Sequence, residues 1–169
     1  IRENVTISRG TASKGKTVVG DGNLLMENMH LAHDCILGSH CIIGNSTKFA
    51  GEVSIDDNAI ISATVLCHQF CHIGGYVMIQ GGCRFSLDIP PYVIAGKEPT
   101  RYAGVNLVGL RRHGFSNELI ENIHEAYRIL YSSGLIKDGI EQIKKTIKIT
   151  PEIQYIIDFV SASKRGIIH

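Results

Sequence analysis

An apolar residue recurs every six positions along the first half of the chain. From Ile1 the row runs through Ile7, Ser13, Val19, Leu25, Leu31, Leu37, Ile43, Phe49, Ile55, Ile61, Cys67, Ile73, Ile79 and Phe85, and thirteen of these fifteen are aliphatic or Phe. The next position is often small (Gly20, Ala32, Gly38, Gly44, Ala50, Gly74), and the fourth after the apolar one is small or aliphatic, as at Val5, Cys35, Val53, Ala59 and Val77. A period of six fits a parallel β-helix, in which each hexad makes one flat side of a triangular coil and three hexads close a turn. The row therefore predicts a mainly β fold over residues 1–89, fifteen hexads in five coils. Apolar side chains would stack along the axis, with Gly, Asn and Asp at corners where the backbone takes unusual dihedrals.

The pattern changes after Phe85. Pro90 and Pro91 cannot donate in a paired interior strand, so residues 90–115 read as a connecting loop. From Ser116 the period becomes helical: Leu119, Ile120, Ile123, Tyr127 and Leu130 share a face, Ser116 suits an N-cap and Gly134 a stop. A second helix is expected from Gly139 to about Ile147. A third is expected from Pro151 to about Ser163, with Ile153, Ile156, Ile157 and Val160 as its buried stripe. Residues 116–169 thus read as a small α-helical domain at the end of the β-helix.

Composition narrows the function classes. With a net charge of +1 there is no overall field to draw nucleic acid, and no basic-aromatic interleaving accompanies the arginines, so nucleic acid is not an expected partner. No apolar run approaches the roughly 20 residues needed to cross a bilayer, so no transmembrane segment is expected. Five cysteines, an odd number with no C-x-x-C, fall at inward positions of the hexads and read as small hydrophobes in a reducing, cytoplasmic setting rather than as a zinc site. Because the chain opens inside the repeat at Ile1, further coils are expected upstream.

The candidate chemistry lies in "NMHLAHDC", Asn28–Cys35. His30 and His33 would share a face only on a helix, which argues against a metal pair, and no metal is expected. Two positions after a hexad apolar residue, His33 should face outward. One coil adds Gly51 above it and a second adds Gln69; the neighbouring columns read Asp34, Glu52, Phe70 and Ala32, Ala50, His68. An imidazole beside carboxylates on such an edge suits proton transfer near neutral pH.

The blocks "IRENVTISRGT", "NLLMENMHLAHDCILG", "VLCHQF", "DIPPYVIAG" and "GVNLVGLRRHGFS" resemble the UDP-N-acetylglucosamine O-acyltransferases that begin lipid A synthesis. The resemblance implies a left-handed β-helix and a homotrimer with active sites in clefts between adjacent subunits. It also implies transfer of a 3-hydroxyacyl chain from acyl carrier protein to the 3-hydroxyl of UDP-N-acetylglucosamine, with no cofactor. By that resemblance His33 is the general base, Asp34 orients it, and the Gly51 N–H stabilises the oxyanion. His30, His68 and Gln69 would line the nucleotide-sugar cleft, Glu52 beside them where the family usually has histidine. Gly81 would measure acyl length, and Asn106 and Arg112 would meet the pantetheine arm or phosphates at the mouth. Val108 and His113 also depart from the family, as does "ISAT" at Ile61–Thr64, and the family's substrate-binding lysine falls upstream of Ile1. Two alternatives stay open: a different nucleotide-sugar acceptor, as for the related N-acyltransferase, or a non-catalytic paralogue.

Overall fold

In the computed structural model, which describes residues 1–169, thirteen of the fifteen hexads, all but those of Ile1 and Ser13, carry a two-residue strand, and the strands stack into three parallel faces joined by corners. Face A stacks Thr6–Ile7, His30–Leu31, Lys48–Phe49, Leu66–Cys67 and Arg84–Phe85. Face B stacks Val18–Val19, Ile36–Leu37, Ser54–Ile55 and His72–Ile73, and face C runs from Leu24–Leu25 through Ile42–Ile43, Ile60–Ile61 and Met78–Ile79. The second residue of each strand points to the axis. Leu31, Phe49, Ile43, Ile61, Ile55 and Ile73 are all at most 1% exposed. Each such side chain contributes about 1.5–3 kcal/mol by leaving water. The five cysteines are free and buried among them.

A left-handed residue stands at every corner from Asn28 through Asp34, His40, Ser46, Glu52, Asn58, Thr64 and Phe70 to Tyr76, with φ between 58° and 67°. Several of these are neither Gly, Asn nor Asp, contrary to the expected corner chemistry. The ladder over-determines the conformation, because the corner N–H donates to the carbonyl one coil below, as from Glu52 to His33 and from Phe70 to Gly51.

Two features depart from the simple count of hexads. On face A the pair Thr6↔His30 is 24 residues apart, whereas Val18↔Ile36 is 18 apart. Residues 8–17 therefore hold a loop six residues longer than a corner, and Ser13 lies in that loop rather than on a side. An insertion of one hexad length preserves the phase, which is why the row shows no slip.

At the other end the coil continues past Phe85. Ile89 bridges to Ile73 on face B, and Val93–Gly96 pairs with Met78–Ile79 on face C before turning back as the antiparallel strand Arg101–Val105. Residues 90–115, expected as a connecting loop, thus complete the last coil, with Pro90 and Pro91 at its corner, and then carry helix α1, Leu107–Arg112.

The helical domain follows with α2 (Asn117–Ser132), α3 (Ile136–Thr146) and α4 (Pro151–Ala162). Ser116 caps α2, accepting from the Leu119 N–H at 3.2 Å, and Thr150 caps α4. Inside α3, Gly139 permits close packing: a Cβ there would come within 3.0 Å of the Leu130 backbone. The C-terminal tail returns to the solenoid, where buried Asp88 accepts from the Ser163 hydroxyl at 2.6 Å and from the His72 N–H at 2.8 Å.

Candidate active site

The edge between faces A and B carries the column His33, Gly51, Gln69, as its hexad positions predict. Asp34, next to His33, is 0% exposed. Its Oδ2 lies 2.9 Å from His33 Nδ1 and accepts from the Thr11 hydroxyl, while its Oδ1 accepts from the Thr11 N–H at 2.9 Å. The Asp34 N–H donates to Thr17 Oγ1 at 2.9 Å. The Thr11 hydroxyl, against the opposing effect of burial and with help from His33, holds the Asp34 carboxyl down at about 2. An ionised carboxylate only accepts, so a proton stands on His33 Nδ1, and in the neutral ring the lone pair is then on Nε2.

The face of the ring lies over Gly51. A Cβ built on Gly51 would lie 2.5 Å from His33 Cε1 and 2.6 Å from Nε2, so only glycine leaves the ring its place. The Gly51 N–H meets no acceptor within the chain. A proton acceptor and an unused donor therefore stand side by side on an edge where the His33 side chain is 41% exposed.

The remaining sequence-predicted residues fall into three groups. His30 lies on the outer surface of face A with Thr6 Oγ1 2.7 Å from its Nδ1, and Glu52 and His68 flank the His33 column. Glu52 meets Lys14 Nζ at 3.5 Å and Ser13 Oγ at 3.4 Å, both from the 8–17 loop. Gly81 stands on a different edge, between faces C and A, above Ala63. Arg112 is exposed on α1, which Asn106 caps: its Oδ1 accepts from the Gly109 N–H at 3.1 Å and its Nδ2 donates to the Tyr76 carbonyl at 3.0 Å. One chain does not bring Gly81, Asn106 and Arg112 to His33.

Nothing in the repeat or in residue type singles out Thr11, Lys14 and Thr17, nor Arg165, whose Nη2 sits 3.4 Å from His68 Nδ1. The non-aliphatic Ser13 in the hexad row was the one local sign of the loop that carries the first three.

Residues 88–168 match the family described as UDP-N-acetylglucosamine O-acyltransferase, domain 2, and residues 16–51 match the bacterial transferase hexapeptide repeats. An acyl-[acyl-carrier-protein]–UDP-N-acetylglucosamine O-acyltransferase of Aliivibrio salmonicida is 44% identical over 99% of this chain and 65% of its own length. One of Pseudomonas fluorescens is 40% identical over 99% and 66%. The chain thus spans about two thirds of the length of these curated relatives. The crystal structure of a UDP-N-acetylglucosamine acyltransferase from Bacteroides fragilis superposes with a TM-score of 0.97 at 65% identity, covering 100% of this chain and 67% of that one. With solenoid, helical end and sequence matching together at that level, the chain belongs to the UDP-N-acetylglucosamine acyltransferase family.

Proposed function

We propose that the protein transfers a 3-hydroxyacyl chain from acyl carrier protein to the 3-hydroxyl of UDP-N-acetylglucosamine, the first step of lipid A biosynthesis, with His33 as general base. The observation that carries the reading is the His33 ring laid over Gly51, whose N–H has no acceptor, with Nδ1 held 2.9 Å from a buried, ionised Asp34. His33 Nε2 takes the proton of the sugar hydroxyl as its oxygen attacks the thioester carbonyl. The tetrahedral oxyanion accepts from the Gly51 N–H, and collapse expels the pantetheine thiolate, which takes the proton back from His33. The thioester is already activated, so the scheme needs no cofactor.

In this reading the chain works as a homotrimer, and a second copy brings its own edge to the His33 edge. The outer surface of face C supports self-association: Leu24, Ile42, Ile60, Met78 and Ile94 form an unbroken apolar ladder, with Leu24 43% and Ile42 39% exposed. His30, Glu52, His68 and Gln69 line the sugar cleft, and Gly81 limits the acyl chain. Arg112 meets the carrier arm, while Asn106 acts through the α1 cap it forms. Gly81→Met narrows the space above Ala63, and the acyl-chain preference shifts to shorter donors. An unchanged chain-length profile removes Gly81 as the ruler. No helix is long and apolar enough to cross a membrane; buried free thiols and a carrier-protein donor support a cytoplasmic site of action.

A second reading, a different nucleotide-sugar acceptor, is favoured by Glu52 held by Lys14 beside the His33 column. Mass spectrometry after incubating the intact protein with 3-hydroxyacyl carrier proteins and either UDP-N-acetylglucosamine or its 3-amino analogue separates the two. An ester-linked, singly acylated product supports O-acylation. An amide with the analogue alone supports the second reading, and no product from either favours the non-catalytic alternative.

A further inference from the structure

Of the left-handed corner residues from Asn28 to Tyr76, Asp34 alone is buried; its counterparts one and two coils up, Glu52 and Phe70, reach solvent. A carboxylate without water is costly unless donors replace it. Besides His33, both donors to the Asp34 carboxylate come from Thr11, and the acceptor for the Asp34 N–H comes from Thr17. All of this comes from the 8–17 loop, which the hexad repeat does not contain. The loop therefore does more than bridge two strands, since it replaces the hydration of one buried group that touches the imidazole.

We propose that Thr11 is a positioning residue: its hydroxyl and N–H fix the Asp34 carboxylate, and through it the tautomer and angle of the His33 ring against Gly51. The proposal rests on the reading of His33 as the base. The hydroxyl shares Oδ2 with the His33 Nδ1–H, so it also tempers the negative charge that the imidazole meets. Removing it leaves the Thr11 N–H on Oδ1 and the loop anchored by Thr17, but the carboxylate becomes free to tilt and more basic toward His33. The other titratable and charged groups around the pair are Cys35, next to Asp34 in the chain, Lys14 of the same loop and Glu52 of the next coil. Lys14 and Glu52 face each other at 3.5 Å and offset one another's charge.

The test compares Thr11→Val and Thr11→Ser with the wild type in the intact protein, by kcat and KM for UDP-N-acetylglucosamine across pH and by NMR titration of the His33 imidazole. Thr11→Val lowers kcat about tenfold at unchanged KM, because the base is misaligned rather than the substrate lost. It also moves the acid limb of kcat/KM and the His33 titration to higher pH, and Thr11→Ser restores both. A uniform loss of activity with an unmoved limb and an unmoved His33 titration overturns the proposal, as does Thr11→Ser behaving like Thr11→Val. The NMR titration is read whether or not any sugar is acylated. A wild type without turnover therefore sinks the catalytic reading, and the His33 shift still decides whether Thr11 governs the pair.

Discussion

Two edges of the same solenoid present the same backbone to different surroundings. On the edge between faces B and C, the outward N–H of Asp21 donates to Ser39 Oγ at 3.1 Å, that of Ser39 to Asp57 Oδ1 at 2.7 Å, and that of Gly75 to Tyr155 Oη at 2.9 Å. Tyr155 comes from α4 and also donates to Asp56, whose carboxylate lies 2.9 Å from His72 Nε2. On the edge between faces A and B, the equivalent N–H of Gly51 has no acceptor and a histidine lies across it. The corner geometry is common property of the repeat. Whether its outward amide serves stability or chemistry depends on what covers it.

The largest expected effect breaks the open edge. His33→Ala removes the proposed base and lowers kcat by about 10²–10⁴-fold, with the fold intact by circular dichroism. Near wild-type turnover would remove His33 from the mechanism. Gly51→Ala keeps the N–H but drives the imidazole off its position, so kcat falls by about 10²-fold while a folded protein persists. An active Gly51→Ala enzyme would mean that the ring and the amide need not be neighbours.

The closed edge answers to stability instead. Tyr155→Phe orphans the Gly75 N–H and takes a donor from Asp56, costing about 1–3 kcal/mol in denaturant unfolding, with kcat unchanged. A loss of turnover without a loss of stability would erase the distinction between the edges. The smallest effect separates the edges by pH. Asp34 titrates near 2 when folded and near its ordinary value of 3.8 when unfolded. Its contribution to stability is therefore complete above that ordinary value and is lost as pH falls through the folded one. Urea midpoints for wild type and Asp34→Asn should converge on acidification through that window; parallel curves would show that the carboxylate is not held as its partners imply.

Much of the architecture is legible in the residues. Leu25 to Phe85 occupy the axial positions that the hexad row assigns, because a side chain that recurs every side of a coil has only its own equivalents to pack against. The two caps Ser116 and Thr150 stand at helix starts, though only the first is visible in advance from the residue and its apolar followers. The 8–17 loop is invisible to the count because its excess equals one repeat. The role of Asn106 is hidden for another reason: its partners Gly109 and Tyr76 are brought together by a turn and a coil, not by spacing along one element.

Period and residue type along the chain settle the solenoid, the inward cysteines and the outward column of His33, Gly51 and Gln69, since all of these follow from a repeat that local sequence specifies. The tertiary structure alone decides that Asp34 is buried, that Thr11 bonds it and that the Gly51 amide is left free while that of Gly75 is closed. Those facts depend on which distant segment folds over each corner, and a buried charge or an open donor is defined only by the groups that segment brings within hydrogen-bonding reach.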